Sequence, residues 1–290
     1  MSFSQEITAV AVNYNSGNVI DTCLKCVKTI EKIIVVDNAS KDDSMTAIMR
    51  DHPKVTAVFN KKNLGFGAGF NSGLSKVTTP YTLSISPDVE VELVVLYEMY
   101  EAIQSDDQIA VVSPALDVPG HGVEMWVMGP DEFNHSKADF QGEGAFCSWF
   151  SSAAVALYRT EALRKVNGFD KNIFLYNEDL DLSLRLSKLN YAMVTLPHVT
   201  AHHINSGSAP QSIKLHWRKD WNFSWGHLYL IKKHIGPWAA FFRSLQTIIF
   251  KTPKVVLYML TFDRKRAIRD GATTMGAISF LLGRKPRPRD

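Results

Sequence analysis

The chain has 290 residues, 46% hydrophobic content and a formal charge of +3. That length and apolar share supply a full core for one large domain or two small ones, and they exclude a disordered or fibrous chain. Charge is unevenly placed: residues 251–290 carry ten Lys/Arg against three Asp/Glu, a net +7 that leaves −4 for the rest.

The predicted elements alternate. Residues 7–12 form a short apolar run rich in β-branched side chains, as a buried strand does. Residues 16–30 read as a helix, 33–36 as a second strand, and the stretch from Ser40 or Asp42 to Arg50 as a capped helix. A third strand spans 55–59, a Gly-rich turn and helix 65–76, a fourth strand 81–85, a helix 91–103 and a strand 109–112. This βαβα order implies a largely parallel sheet with helices on both faces. Residues 114–150 are irregular and glycine-bearing, as functional loops often are. A strand over 153–158, helices over 160–166 and 178–189, and a strand over 191–196 follow. From Gln211 the pattern is helical, with breaks expected at Gly236-Pro237, Pro253 and Gly271.

No charged segment followed by a long apolar run opens the sequence, so no secretory signal is expected. No stretch reaches the ~20 apolar residues of a spanning helix. Cys23, Cys26 and Cys147 are too few for a disulfide framework. The Cys23/Cys26 pair lacks a second pair to complete a zinc site and falls on a helical pattern. A reducing cytoplasm fits this cysteine usage.

Chemistry concentrates at strand ends, where open α/β sheets bind ligands. Asn13-Tyr14-Asn15, Asp37-Asn38 and Ser86-Pro87-Asp88 each follow an apolar strand. Asp37 can accept from a nucleobase or ribose, or serve as a turn residue. Asn63-Leu64-Gly65-Phe66-Gly67 can cradle phosphate, or let a helix pack closely on the sheet. It is not a P-loop, because no Gly-Lys-Ser/Thr follows. Asp88 can hold a hard divalent cation, and His202 or His203 can complete a metal site. The densest signal is Asn177-Glu178-Asp179-Leu180-Asp181, three carboxylates within four residues at the rim of an apolar run. Such a cluster suits a general base.

Taken in order, these segments resemble the inverting glycosyltransferases of family 2. The matching strings are Val10-Ala11-Val12-Asn13-Tyr14-Asn15, Ile34-Val35-Val36-Asp37-Asn38-Ala39-Ser40, Asn63 to Gly67 with Asn71, Ser86-Pro87-Asp88, Gly168-Phe169-Asp170, and Phe174 to Leu182 with Arg185, then His202/His203. The match covers some 200 residues, and its flavour is that of rhamnosyltransferase-like enzymes of bacterial surface polysaccharides.

The resemblance implies the GT-A nucleotide-diphospho-sugar transferase fold. Residues 1–210 would form it, with a donor half over 1–113 and an acceptor half over 114–210. Residues 211–290 would be a basic helical extension. Asp37 would bind the donor base with Asn13 and Asn15, while Asn63, Gly65 and Asn71 shape the nucleotide site. Ser86 and Asp88 stand where the family has Asp-x-Asp, with Asp88 binding Mg2+ or Mn2+ together with His202 or His203. Asp179 would be the catalytic base beside Glu178 and Asp181, whose charges would raise its pKa. Asp170 and Ser152 would lie on the acceptor side.

There are two departures. Ser86 replaces the first acid of the metal element and is a poorer ligand. Ser151-Ser152-Ala153 replaces a Ser-Gly-Ala. The Gln-x-x-Arg-Trp element of processive synthases is absent, so one or a few additions per encounter are expected.

The expected activity is transfer of a sugar from dTDP-rhamnose or a UDP-sugar to a lipid-linked glycan. The enzyme would be cytoplasmic and peripheral on the inner face of the membrane, held to anionic lipid by its helices, with no nucleic-acid partner. A non-catalytic glycan- or nucleotide-binding scaffold and a nucleotidyltransferase are the alternatives.

Overall fold

The computed structural model describes residues 2–120, 122–124, 144–204 and 212–286. The elements run α1 (Phe3–Glu6), β1 (Ile7–Asn13), α2 (Ile20–Cys26), β2 (Lys32–Asp37), α3 (Ser44–Asp51), β3 (Val55–Phe59), α4 (Phe66–Leu74), β4 (Tyr81–Ile85), β5 (Val89–Glu90) and α5 (Leu93–Gln104). Then come β6 (Ile109–Val118), β7 (Gly122–Glu124), β8 (Phe146–Ser148), β9 (Val155–Arg159), α6 (Thr160–Lys165), α7 (Glu178–Ser187), β10 (Ala192–His203), α8 (Ile213–His234), α9 (Pro237–Leu260) and α10 (Arg264–Leu281). The chain divides into two compact units.

The first unit holds residues 1–169 and 179–209. Its sheet has the order β3-β2-β1-β4-β9-β6-β10-β5, with β7 beside β6 and β8 beside β10. Strands β3, β2, β1 and β4 are mutually parallel. Antiparallel pairing enters with β9, which lies between β4 and β6. The sheet is thus parallel in its first half and mixed in its second.

Both faces of β1, β2 and β4 are buried, which explains their continuous apolar runs, while the edge strand β3 is half-exposed. Ala9, Ala11, Ile33 and Val35 point into one core with Leu24 of α2 and Met99 of α5. Val10, Val12, Ile34 and Val36 point into the other with Phe70 of α4 and Leu182 of α7. Cys23 and Cys26 are ordinary residues of α2, and burial pushes the Cys23 thiol pKa up.

Strand β10 extends past the expected end at Leu196. It shifts register against β6 between Leu196 and Thr200, where Pro197 lacks an amide to donate. This irregular extension carries His202 and His203 to the edge strand β5.

The second unit holds Asp170–Glu178 and Pro210–Asp290. Its three long helices are defined by local signals. The Ser212 hydroxyl accepts from Leu215 N at 3.1 Å to cap α8, and Asp263 accepts from Arg266 N at 3.1 Å to cap α10. Gly236, at φ 144°, turns the chain before Pro237 opens α9. Pro253 lies inside α9 and Gly271 inside α10, so neither is the expected break; the chain turns instead at Thr261–Asp263. Asp270 is buried and accepts from Lys251 at 2.9 Å and Arg269 at 3.1 Å, fastening α9 to α10. Among the described residues no helix is long and apolar enough to cross a membrane.

Candidate active site

The carboxyl ends of β1 and β2 meet in a buried polar knot. Asn13 is fully buried, and its Nδ2 lies within hydrogen-bond distance of Asp37 Oδ1 (3.2 Å), Ser40 Oγ (3.1 Å) and Ser44 Oγ (2.8 Å). Its Oδ1 accepts from Ser16. Asp37 also accepts from the Ser40 amide. Asn15 sits at φ 53° and accepts from the Lys41 amide at 2.6 Å. The loop after β2 is therefore locked to the loop after β1 by side-chain oxygens.

Asn38 extends the knot. Its Nδ2 donates to Asn63 Oδ1 at 3.0 Å and Gly65 O at 2.9 Å, while its Oδ1 accepts from Asn60 Nδ2 and the Leu64 amide, both at 3.1 Å. Gly65, at φ 85°, opens α4. That helix rides close to the sheet: a Cβ on Gly73 would lie 2.7 Å from Val10 Cγ1, and one on Gly69 would lie 3.1 Å from Asn38 Nδ2. The later glycines of the Gly-rich run thus serve packing.

Asn71 of α4 does not point to the knot. Its Oδ1 accepts from the Phe169 amide at 2.9 Å and its Nδ2 donates to the Phe169 carbonyl at 2.7 Å. The side chain imitates a strand partner and ties α4 to the Gly168-Phe169 turn, so its polar atoms are spent on backbone rather than left for a nucleotide.

Past β4, the Ser86 amide donates to Ala154 O at 2.7 Å. Asp88 follows, and its Oδ1 lies 3.5 Å from His203 Nε2. The neighbouring His202 points elsewhere, to Asp117 at 3.1 Å. Among the described residues no three His, Cys, Asp or Glu side chains converge as a metal cage. Asp88 and His203 fit a cation that takes its remaining ligands from phosphate oxygens and water, as Mg2+ commonly does.

The segment before Ala154 also touches the acidic run. Asp179 is half-buried on the first turn of α7. Burial raises its carboxyl to about pH 6, against the opposing donation of the Leu180, Asp179 and Ala153 amides. The rise was expected from the charges of Glu178 and Asp181; its cause is burial instead. Residues 153 and 154 thereby bond to both the Ser86 and the Asp179 segments. Ser152 lies in the same stretch, its hydroxyl accepting from Ala154 N at 3.3 Å.

Asp181 is turned away. Fully buried, it pairs with Arg185 at 2.7 Å, and Arg185 also donates to the carbonyls of Val166 (2.6 Å) and Gly168 (2.8 Å). This places it as a clamp on the α6–α7 connection rather than beside Asp179. Glu178 is buried. Asp170, expected on the acceptor side, is held in the helical unit by Lys233 at 2.6 Å and Tyr229 at 2.9 Å. Burial would raise its carboxyl, but Lys233 and the other donors hold it down at about 2.

The family model described as Glycosyl transferase family 2 matches residues 8–166, and that of Glycosyl transferase family group 2 matches residues 92–269. The chain belongs to glycosyl transferase family 2. Among curated proteins it is similar to the N-acetylglucosaminyl-diphospho-decaprenol L-rhamnosyltransferase of Mycobacterium tuberculosis, at 21% identity over 269 residues, covering 81% of this chain and 87% of that one.

Its fold is similar to that of the mannosyltransferase PcManGT of Pyrobaculum calidifontis, solved with GDP-Man and Mn2+. The TM-score is 0.62 at 15% identity, covering 97% of this chain and 88% of that one. Residues 1–349 of S. aureus TarS, solved with UDP-GlcNAc, give 0.57 at 16% identity, covering 98% and 93%. The fold is GT-A, and the chain is a glycosyltransferase.

Within this family 2 enzyme, sequence reasoning left the roles of several residues unread. Asn38 stands there only as Asp37's neighbour at a strand end, yet it organises the loop knot. Arg185 appears only as part of a motif yet clamps Asp181. Tyr176 and Asn177 take φ of 65° and 69° immediately before α7. An aromatic residue at positive φ marks stored strain, which tends to cluster at functional sites. Gly226 of α8 makes room for this turn: a Cβ there would lie 2.8 Å from Asn177 Nδ2 and 3.1 Å from Tyr176 O.

Proposed function

We propose that this glycosyltransferase transfers one sugar, with inversion, from a dTDP- or UDP-linked donor to a lipid-linked glycan. The observation that carries the reading is Asp179, a carboxylate raised to about 6 and bonded through residues 153 and 154 to the segment that bears Asp88. A base of this strength is ionised at neutral pH and more proton-hungry than an exposed carboxylate.

In the proposed reaction an acceptor hydroxyl gives its proton to Asp179. The freed oxygen forms a bond to the anomeric carbon while the bond to the diphosphate oxygen breaks with its electron pair. One displacement inverts the centre, and nucleoside diphosphate leaves. Asp37, positioned by Asn13, would accept from the donor base. Asn63 and Gly65, fixed by Asn38, would shape the wall beside the nucleotide. A divalent cation on Asp88 and His203 would supply positive charge to the diphosphate. Mn2+ in the PcManGT structure and the lipid-linked N-acetylglucosamine in the name of the mycobacterial relative support these choices.

Helix α9 supports membrane attachment. Trp238, Phe242, Ile249, Val256 and Leu260 recur along one side at helical spacing, and all are exposed. Basic residues such as Lys254, Lys265 and Arg266 would meet anionic headgroups, each contributing on the order of 1 kcal/mol near the surface. The protein would then work on the inner face of the cell membrane.

The test is Asp179→Asn with donor binding followed by calorimetry. Lost transfer with retained donor affinity is expected; full transfer by the variant would overturn the reading.

A further inference from the structure

Two cavities in the helical unit lie outside the chemistry described so far. The first, of about 740 Å3, runs between α8, α9 and α10. Its walls are apolar, with Val255, Met259, Ile268, Met275 and Ile278 among them, and Arg264 at its margin. The second, of about 520 Å3, lies between α8 and the end of α10. It is lined by Arg218, Arg284 and Lys285 together with Trp221, and none of its described lining residues is acidic. Both fall in the size range of small-molecule sites.

Trp217 lines both cavities. Its indole is seated against Gly271, where an added Cβ would lie 3.3 Å from Cζ3. The glycine in mid-helix, a poorer helix former than alanine, gives the indole its place as their common wall. Successive residues of α10, Ile278 and Ser279, likewise face the apolar and the cationic cavity in turn. The cationic end is anchored, because Trp225 Nε1 donates to the Arg284 carbonyl at 2.8 Å.

An apolar cavity and a cluster of cations on either side of one indole match the two parts of an amphiphile: a hydrocarbon chain ending in phosphate. We propose that the C-terminal helical unit binds an isoprenoid diphosphate, the carrier lipid of the acceptor, with its chain in the apolar cavity and its diphosphate among Arg218, Arg284 and Lys285. This rests on the lipid-linked acceptor proposed above and deepens it, since the carrier itself becomes a ligand. Charge complementarity favours this occupant over an uncharged lipid.

The test uses the full chain and farnesyl diphosphate as a short probe. Titration calorimetry should show farnesyl diphosphate binding about tenfold or more tighter than farnesol or inorganic pyrophosphate. Met275→Glu, in the apolar wall, and Arg284→Glu, in the cationic one, should each weaken it about tenfold or more. Unchanged affinity for the nucleoside diphosphate serves as the folding control.

Equal affinity for farnesol would overturn the proposal, as would indifference to both substitutions. So would equally tight binding of a short-chain phosphatidylglycerol, the bulk-lipid source of the same chemistry. Transfer to a lipid-linked sugar by variants with wild-type farnesyl diphosphate affinity would sink the cavity and leave the acceptor reading standing. Specific farnesyl diphosphate binding by an enzyme that ignores every lipid-linked sugar would uphold the cavity and sink the acceptor reading.

Discussion

His203, not His202, faces Asp88. The Nε2–Oδ1 distance is 3.5 Å, and the antiparallel pairing of β10 with the two-residue strand β5 sets it, placing His203 opposite Val89. Adjacent residues of a strand point to opposite faces. The same register therefore sends His202 to Asp117. If Asp88 holds a cation, the histidines must differ in consequence. His203→Ala should raise the Mn2+ concentration needed for half-maximal transfer about tenfold or more, in line with loss of one ligand. His202→Ala should leave it within about twofold. Metal titrations of both variants read this directly, and the reverse ranking would remove His203 from the site.

Asp179 carries two pH signatures of opposite use. As the proposed base it must be ionised, so transfer should fall as pH drops through about 6. As a carboxyl with a raised folded pKa, it stabilises the fold only while protonated in both states. Below the unfolded pKa of about 4 that contribution is whole. It is lost as pH rises through the folded value of about 6. Asp179→Asn should therefore match the wild type in stability near pH 3 and exceed it by on the order of 3 kcal/mol above pH 7. Denaturant unfolding at the two pH values measures the difference. A variant less stable than the wild type at pH 7.5 would mean that the carboxylate is better solvated than its position implies.

Asn71 separates packing from ligand binding. Both ends of its amide pair with the Phe169 backbone, and a Cβ on Gly168 would collide with Asn71 Oδ1. Asn71→Ala leaves those backbone groups without their partners and should cost about 1–3 kcal/mol of stability. Donor affinity should stay within about twofold, because the side chain is spent on the protein. A large loss of donor affinity with unchanged stability would return Asn71 to the nucleotide site.

How far the sequence could be read follows from where each signal originates. Strands β1, β2 and β4 are legible because both of their faces are buried, which leaves uninterrupted apolar runs at residues 7–12, 33–36 and 81–85. The extension of β10 is not legible, since Pro197 and polar residues break the pattern just where the strand shifts register. Pro253 and Gly271 look like helix breaks only when tertiary contacts are unknown. Among the site residues, Asp37, Asp88 and Asp179 announce themselves by charge at strand and helix ends. The commitments of Asn71 to Phe169, and of Asp170 to Lys233, span 98 and 63 positions of sequence. Nothing local encodes them. Asn38 is visible as a polar residue at a strand end, but its bonds to Asn60, Asn63, Leu64 and Gly65 lie 22 to 27 positions away and are equally unread.

The approach of Gly226 to Tyr176 and Asn177 tests whether the strained turn governs the base. Those two residues hold left-handed backbone immediately ahead of Glu178 and Asp179, and Asn177 Nδ2 donates to Phe223 O at 3.2 Å on the same helix as Gly226. A methyl group at 226 would sit 2.8 Å from Asn177 Nδ2 and 3.1 Å from the Tyr176 carbonyl, and the second contact is backbone that cannot simply rotate away. The turn must then shift by a few tenths of an ångström, and the first residues of α7 with it. Near-attack geometry tolerates little of this: a misplacement of about 1 Å can cost roughly a hundredfold in rate. Gly226→Ala should therefore lower kcat about tenfold or more, leave donor affinity near the wild type, and cost about 1–3 kcal/mol of stability from overpacking. Asp270→Asn, which weakens the fastening of α9 to α10, is the control for a generally perturbed helical unit. If both changes reduce kcat equally, the effect belongs to the unit as a whole; if only the change at 226 does so, the Tyr176-Asn177 turn is what sets Asp179 in place.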